Sequence, residues 1–238
     1  MQEFKPFDGA LLVDKPPGPT SHDVVAILRR RFQIDKVGHA GTLDPGATGL
    51  LIILLGRGTK LSEKLMASDK VYEGTMKFGE TTDSYDADGE LVSSLPVPPL
   101  TIDELNEAAG GFIGDIMQTP PMVSAVKQGG VPLYKLARKG IEVERKARLV
   151  HIYNYRFTSY QEPFGIFRVA CTKGTYVRSL AHELGEKIGC GAHLTALRRI
   201  TSGKFEVADA TPLDTLVTLS ERELEKKIIP FLKLAAAE

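Results

Sequence analysis

The chain has 238 residues, 42% hydrophobic and 25% charged, with 30 basic and 30 acidic side chains and no net charge. That length can bury a large core as one domain, with or without a small appendage, and that composition excludes disordered and fibrous classes. No apolar run reaches the ~20 residues of a membrane span, and the amino terminus carries acids and prolines where a signal peptide would be basic and then apolar; a cytoplasmic protein without membrane contact is expected.

Taken in chain order, GALLVDKP (9–16) reads as a strand halted by prolines, and TSHDVVAILRRRF (20–32) as a helix capped by Thr20 or Ser21 with a basic final turn. GLLIILLG (49–56) is a short continuous apolar run ended by glycine, the pattern of a strand buried on both faces. KVYEGTMKFG alternates, placing Tyr72, Met76 and Phe78 on an inward face and Glu73, Thr75 and Lys77 on the other. TIDELNEAAGG opens with the Thr101 to Glu104 spacing of a capping box. GIFRVACTKG is a further strand, and in TYVRSLAHELGEKIG the residues Val177, Leu180, Ala181, Leu184 and Ile188 recur at helical spacing before the capping glycine 189. The stretch from Asp214 to the carboxyl terminus reads as a short segment and a terminal helix. Strands and helices in irregular order, without strict βαβ alternation, predict an α+β fold.

Neutral net charge hides an uneven distribution: residues 62–115 carry 3 basic and 12 acidic groups, whereas 116–204 carry 15 and 5. Lys135, Arg138, Lys139, Arg145, Lys146 and Arg148 form a phosphate-contacting surface or a solvated face answering the acidic segment. Cys171 and Cys190 form no C-x-x-C pair and read as buried small hydrophobes. DSYDADGE fails as a calcium loop, because in register the first ligand falls on Ser84 and the last on Leu95. HELGE lacks the second histidine of a zinc protease motif, and no G-x-S-x-G or phosphate-cradling loop is present. What remains is Asp44, set between a glycine-rich loop and the most apolar run, an inward Tyr72, and Arg178 in the first turn of a helix. Asp-Pro alone is equally a turn signal.

Five collinear stretches carry more. KPPGPTSHDVV, GHAGTLDPGATGLL, SDKVYEGTMKFGETTDSYDADGE, PPMVSAVKQGGVPLYKLARKGIEVERKAR and KGTYVRSLAHELGEKIGCGAHLTALRR resemble, in order, the successive motifs of the TruB family of tRNA pseudouridine synthases. The resemblance runs from about residue 9 to residue 205. It implies a mixed, mainly antiparallel sheet flanked by helices with a central active-site cleft. It also implies isomerisation of the T-loop uridine (uridine-55) of tRNA, with Asp44 as the catalytic aspartate, Tyr72 stacking on the base and Arg178 pairing with the aspartate. His39 corresponds to the G-H-x-G histidine, Lys15 to the K-P-x-G lysine, Lys60 to the A-T-K lysine and Leu197 to the leucine against the target base. Gly41 and Thr42 belong to the same substrate-binding loop, and the basic cluster at Lys135, Arg138, Lys139 and Arg145 becomes the grip on stem-loop phosphates.

The chemistry accounts for these residue types. Uridine becomes its C-linked isomer when the N1–C1′ bond breaks, the uracil turns and C5 joins C1′, with no change of oxidation state and so no cofactor. A carboxylate beside the ribose serves as nucleophile or as base. A fixed guanidinium keeps it charged when buried. The uridine must flip out of its loop, and His39 fills the gap it leaves.

Members of this family usually continue into a small carboxyl-terminal RNA-binding domain of the PUA type; here the expected division is a catalytic domain over 1–208 and a short tail over 209–238. The partner expected is the tRNA T arm, with no obligatory protein and a monomeric enzyme. Two other readings stand beside this one: a relative of the guide-RNA-dependent branch, and a catalytically minor tRNA-folding module.

Overall fold

The computed structural model describes residues 7–124, 126–133, 136, 140, 141 and 143–236. In chain order the elements begin with strand β1 (Gly9–Lys15), helix α1 (Ser21–Phe32), β2 (Val37–His39), β3 (Thr48–Leu55), a 3-10 turn (Gly56–Leu61), α2 (Ser62–Met66) and β4 (Lys70–Phe78). There follow β5 (Glu80–Thr82), β6 (Leu91–Ser94), α3 (Ile102–Gly110), β7 (Gly114–Gln118), β8 (Lys127–Gln128), β9 (Val131–Pro132), β10 (Arg148–Gln161) and β11 (Phe164–Cys171). The chain then forms α4 (Val177–Ile188), β12 (Ala192–Ser202), β13 (Phe205–Glu206), β14 (Thr211–Pro212), α5 (Leu213–Thr218), α6 (Glu221–Lys227), β15 (Ile229–Pro230) and α7 (Phe231–Ala235). The fold is mixed α+β with mainly antiparallel pairing, the class expected from the sequence. No helix among the described residues is long and apolar enough to cross a membrane.

Two compact units divide the chain, one of residues 1–72 with 198–238 and the other of residues 73–197. In the first, the strand order is β14, β1, β3 and the end of β12. β1 and β3 are antiparallel, with Gly9 opposite Leu55 and Lys15 opposite Gly49, and β12 meets β3 in parallel at Arg198 and Arg199. Every residue of β3 from Gly49 to Leu55 is buried, as a run without polar alternation requires. One face of β1 and β3 (Ala10, Leu12, Leu50, Ile52, Leu54) packs with Ala40, Phe205 and Leu234. Helix α1 buries Val24, Leu28 and Phe32 at i, i+4, i+8, and Thr20, rather than Ser21, caps it in a reciprocal box with Asp23. Ser21 is freed for another task, described below.

The carboxyl-terminal stretch differs from the expected single helix. Ser220 opens α6 with a capping box to Glu223, and Pro230, which has no N–H to continue a helix, ends the run. Ile229 and Pro230 pair with Ala10 and Gly9, and Leu234 enters the core beside β1.

In the second unit the order is β12, β4, β11, β10, β7. The long β10–β11 antiparallel pair supports an aromatic core in which Tyr155 and Phe167 lie 5.4 Å apart and Phe157 and Phe167 5.9 Å apart, ring centre to ring centre. Gly74 lets β4 approach this core, since a Cβ there would strike the Phe167 ring. Asn106 of α3 bonds both backbone groups of Phe157, accepting from its N–H at 2.7 Å and donating to its carbonyl at 3.3 Å. The inward set Tyr72, Met76 and Phe78 of β4 is buried as the alternation predicts. Both cysteines are buried and unbridged.

Candidate functional site

Asp44 lies on the loop between β2 and β3, half-buried, and the backbone on both sides of it is held by two buried cations and a hydroxyl. Arg199 of β12 donates to the carbonyls of Gly41 (3.1 Å), Thr42 (3.3 Å) and Leu50 (2.7 Å). Lys15, at the end of β1, donates to the carbonyls of Pro16 (2.8 Å), Pro45 (3.0 Å) and Ala47 (2.7 Å). Between them the Ser21 hydroxyl accepts from the Leu43 N–H at 2.9 Å and donates to the Leu43 carbonyl at 3.2 Å. The loop closes on itself and on the proline-rich turn through Ala47 N–H to Asp44 carbonyl and Gly18 N–H to Pro45 carbonyl. Carbonyls from 41 to 47 are thus pinned from three elements.

The electrostatics follow from burial. Lys15 is fully buried and its pKa falls to about 8: desolvation lowers it most, the Asp44 charge raises it, and Arg199 lowers it further. Gly41 adopts φ +107°, a left-handed conformation that favours glycine, and a Cβ there would sit 3.4 Å from the Arg199 guanidinium. Gly38 has open space around its Cβ direction apart from a Thr59 methyl 3.8 Å away, so its role is not a conformational one.

His39 ends β2. Its ring meets that of His22, in the first turn of α1, edge to face at 5.2 Å, and its buried Nδ1 has no hydrogen-bond partner among the described residues. Desolvation, then the neighbouring His22 and Arg199, hold the His39 pKa below its ordinary value, so the ring is neutral near pH 7. Lys60 is exposed on the 3-10 turn after β3. Tyr72 is buried in β4, on the same inward face as Lys70, whose ammonium donates to the carbonyls of Met66 and Ser68.

Arg178 belongs to the second unit. It is the second residue of α4 and is 3% exposed, which excludes a solvated helix-surface charge. It donates to the carbonyls of Ser84 (3.0 Å) and Val123 (2.7 Å) and pairs with Asp86 at 3.1 Å. The start of its helix is held by Gln118, which accepts from the Tyr176 N–H at 2.7 Å and donates to the Tyr176 carbonyl at 3.1 Å. Leu197 is half-buried on β12. Arg145 donates to the Pro120 carbonyl at 3.1 Å. Lys135, Arg138 and Lys139 lie outside the described residues.

The structure therefore brings together Lys15, Gly41, Thr42 and Asp44 in one unit, with His39 against His22. Sequence reasoning missed Arg199, Ser21 and His22 around the Asp44 loop in the first unit and, in the second, Asp86 beside Arg178. Nothing in the sequence signalled Arg199, whose partners are backbone carbonyls of distant segments; for Asp86 the signal was an acidic residue in a turn that could not bind calcium.

Among solved structures, a Cbf5-Nop10-Gar1 complex matches with 30% identity and a TM-score of 0.76, over 96% of this chain and 61% of that one. An H/ACA RNP bound to a substrate RNA containing 2′-deoxyuridine matches with 27% identity and a TM-score of 0.71, over 95% and 60%. The chain thus spans about 60% of the length of these solved relatives. The family model for TruB family pseudouridylate synthase (N terminal domain) matches residues 29–177, and that for the tRNA pseudouridylate synthase B C-terminal domain matches residues 178–233. A protein of Opitutus terrae named tRNA pseudouridine synthase B is 55% identical over 99% of this chain and 98% of its own length. Its namesake in Syntrophotalea carbinolica is 44% identical over 97% and 74%. The chain belongs to the TruB family of pseudouridylate synthases.

Proposed function

We propose that this chain isomerises the T-loop uridine of tRNA to pseudouridine, with Asp44 as the reacting carboxylate. Family membership and the shared name of its relatives support the reaction and the tRNA substrate. The observation that carries the assignment of Asp44 is the clamp on its loop: Lys15, Ser21 and Arg199 take up backbone groups on either side of the aspartate. The fixed positive charges of Lys15 and Arg199 favour an ionised carboxylate in a half-buried setting. Bond by bond, N1–C1′ breaks, C5–C1′ forms, C5 loses a proton and N1 gains one; the isomerisation balances without oxidant, reductant or cofactor.

In this reading Tyr72 offers a ring face to the detached uracil, Leu197 bounds its other side, and neutral His39 occupies the space the flipped nucleotide leaves. Arg178 supplies a guanidinium fixed by Asp86, Ser84 and Val123. Lys60, Arg145 and the cluster Lys135, Arg138 and Lys139 contact phosphates of the T arm. The enzyme works as a cytoplasmic monomer without an obligatory protein partner.

The solved relative that is an H/ACA RNP bound to a substrate RNA favours one competing reading, dependence on a guide RNA. Incubating the pure protein with an unmodified tRNA transcript, and separately with a short T-arm hairpin, decides between them. Pseudouridine at the T-loop uridine of both substrates is expected; product only when a guide RNA is added would overturn the proposal.

A further inference from the structure

Tyr85 sits in the turn between β5 and β6 with φ +64°, a left-handed conformation that is an outlier for a bulky side chain. Such strain persists only where the surroundings over-determine it. Three contacts do so. The Tyr85 ring lies flat on the His182 ring of α4, with centroids 3.9 Å apart and planes 8° from parallel. The Tyr85 carbonyl accepts from the Leu194 N–H of β12 at 3.0 Å, and its N–H donates to the Thr82 carbonyl at 3.2 Å. Its two chain neighbours, Ser84 and Asp86, are the residues that hold Arg178.

His182 lies four residues after Arg178, on the same side of α4. Its Nδ1 is buried without a hydrogen-bond partner among the described residues, so no hydrogen bond of that nitrogen fixes the ring's placement. Burial, opposed in part by Glu186, keeps the imidazole below its ordinary pKa and therefore neutral, which spares Arg178 a second positive charge one helical turn away.

We propose that the Tyr85–His182 stack is a positioning device: it locks the strained turn onto α4 so that the Ser84 carbonyl and the Asp86 carboxylate fix the Arg178 guanidinium. The strain at Tyr85 is what the stack holds in place, and the payload is the aim of one side chain. This inference rests on the role proposed for Arg178.

Single-turnover and steady-state kinetics on tRNA test it. His182→Ala is expected to lower kcat by about 10- to 100-fold, the scale of an ångström-sized misplacement of a reacting group, with KM changed less than about threefold. His182→Phe, which restores a flat ring, is expected to recover most of that loss. Tyr85→Asn tolerates the left-handed backbone and removes the ring, so it folds and should match His182→Ala; the double variant should lose no more than either alone. A full-rate His182→Ala, equal losses in His182→Ala and His182→Phe, or losses that multiply in the double variant would each overturn the proposal. Arg178→Lys in the same assay separates the two levels. If it is fully active, the role of Arg178 itself fails. If it is impaired while His182→Ala is not, only the stack's role fails.

Discussion

Replacing Arg199 by methionine keeps most of the aliphatic volume and removes the three donors that hold the carbonyls of Gly41, Thr42 and Leu50. Arg199 is 1% exposed and its bond to the Leu50 carbonyl is buried, while those to Gly41 and Thr42 are part-buried, so water replaces the lost donors only in part. A buried acceptor left unsatisfied costs about 1–3 kcal/mol. Part of this is returned, because the native state no longer desolvates a guanidinium. A net loss of about 3–5 kcal/mol follows, near the upper end for single substitutions. For a chain of this size each kcal/mol lowers Tm by about 2–4 °C, so thermal unfolding followed by circular dichroism should shift down on the order of 10 °C. Activity measured well below that Tm should also fall about tenfold or more, because the loop carrying Asp44 loses its anchors on one side. Arg199→Lys, which keeps the charge but has no planar fork to reach three carbonyls, should lie between the two. A Tm within about 2 °C of wild type, together with unchanged kcat, would refute the reasoning.

The remaining expectations concern the same loop and the RNA surface. Lys15 has a folded pKa of about 8, below its ordinary value, so between about pH 8 and 10.5 the unfolded state binds the proton and the folded state does not. The linkage sign then makes this group's contribution to stability rise with pH through that window. Lys15→Met should abolish the rise in denaturant titrations; an unchanged pH–stability curve would contradict it. Over the same window activity should decline as the charge beside Asp44 is lost, and a flat kcat profile to pH 10 would show that Lys15 keeps its proton. Gly41→Ala must hold φ +107° with a Cβ against the Arg199 guanidinium, and should cost about 1–2 kcal/mol in urea unfolding. If Arg145 contacts a phosphate, Arg145→Ala should lower the slope of log affinity against log salt by about 0.7 to 0.9. An unchanged slope would place the grip elsewhere.

Local rules made much of the fold legible. The unbroken apolar run of β3, the alternation of β4 and the capping boxes of α1 and α3 each depend on residues within one element, and each folds as its pattern dictates. The clamp on Asp44 was not legible, because its contacts to the loop join residues 22 to 158 positions apart and work through backbone groups, which carry no sequence signature. Lys15 and Arg199 are fully buried charges; nothing in their neighbours foretells that three carbonyls wait for each. Strand β12 was hidden for a related reason. His193, Thr195 and Arg199 break its apolar pattern, and their partners, the Glu80, Thr75 and Leu50 carbonyls, come from distant segments. The capping box at Ser220 was present in the sequence and readable, and Pro230 would have ended the helix it opens.

The most direct test of the account is the Asp44→Asn variant assayed beside wild type on an unmodified tRNA transcript, with pseudouridine mapped at nucleotide resolution and tRNA binding measured on the same preparation. The amide keeps the shape of the carboxylate and discards its charge. Binding within about threefold of wild type and no product, even with enzyme in excess, is the predicted result. Pseudouridine formed by Asp44→Asn at a rate near wild type would contradict the account.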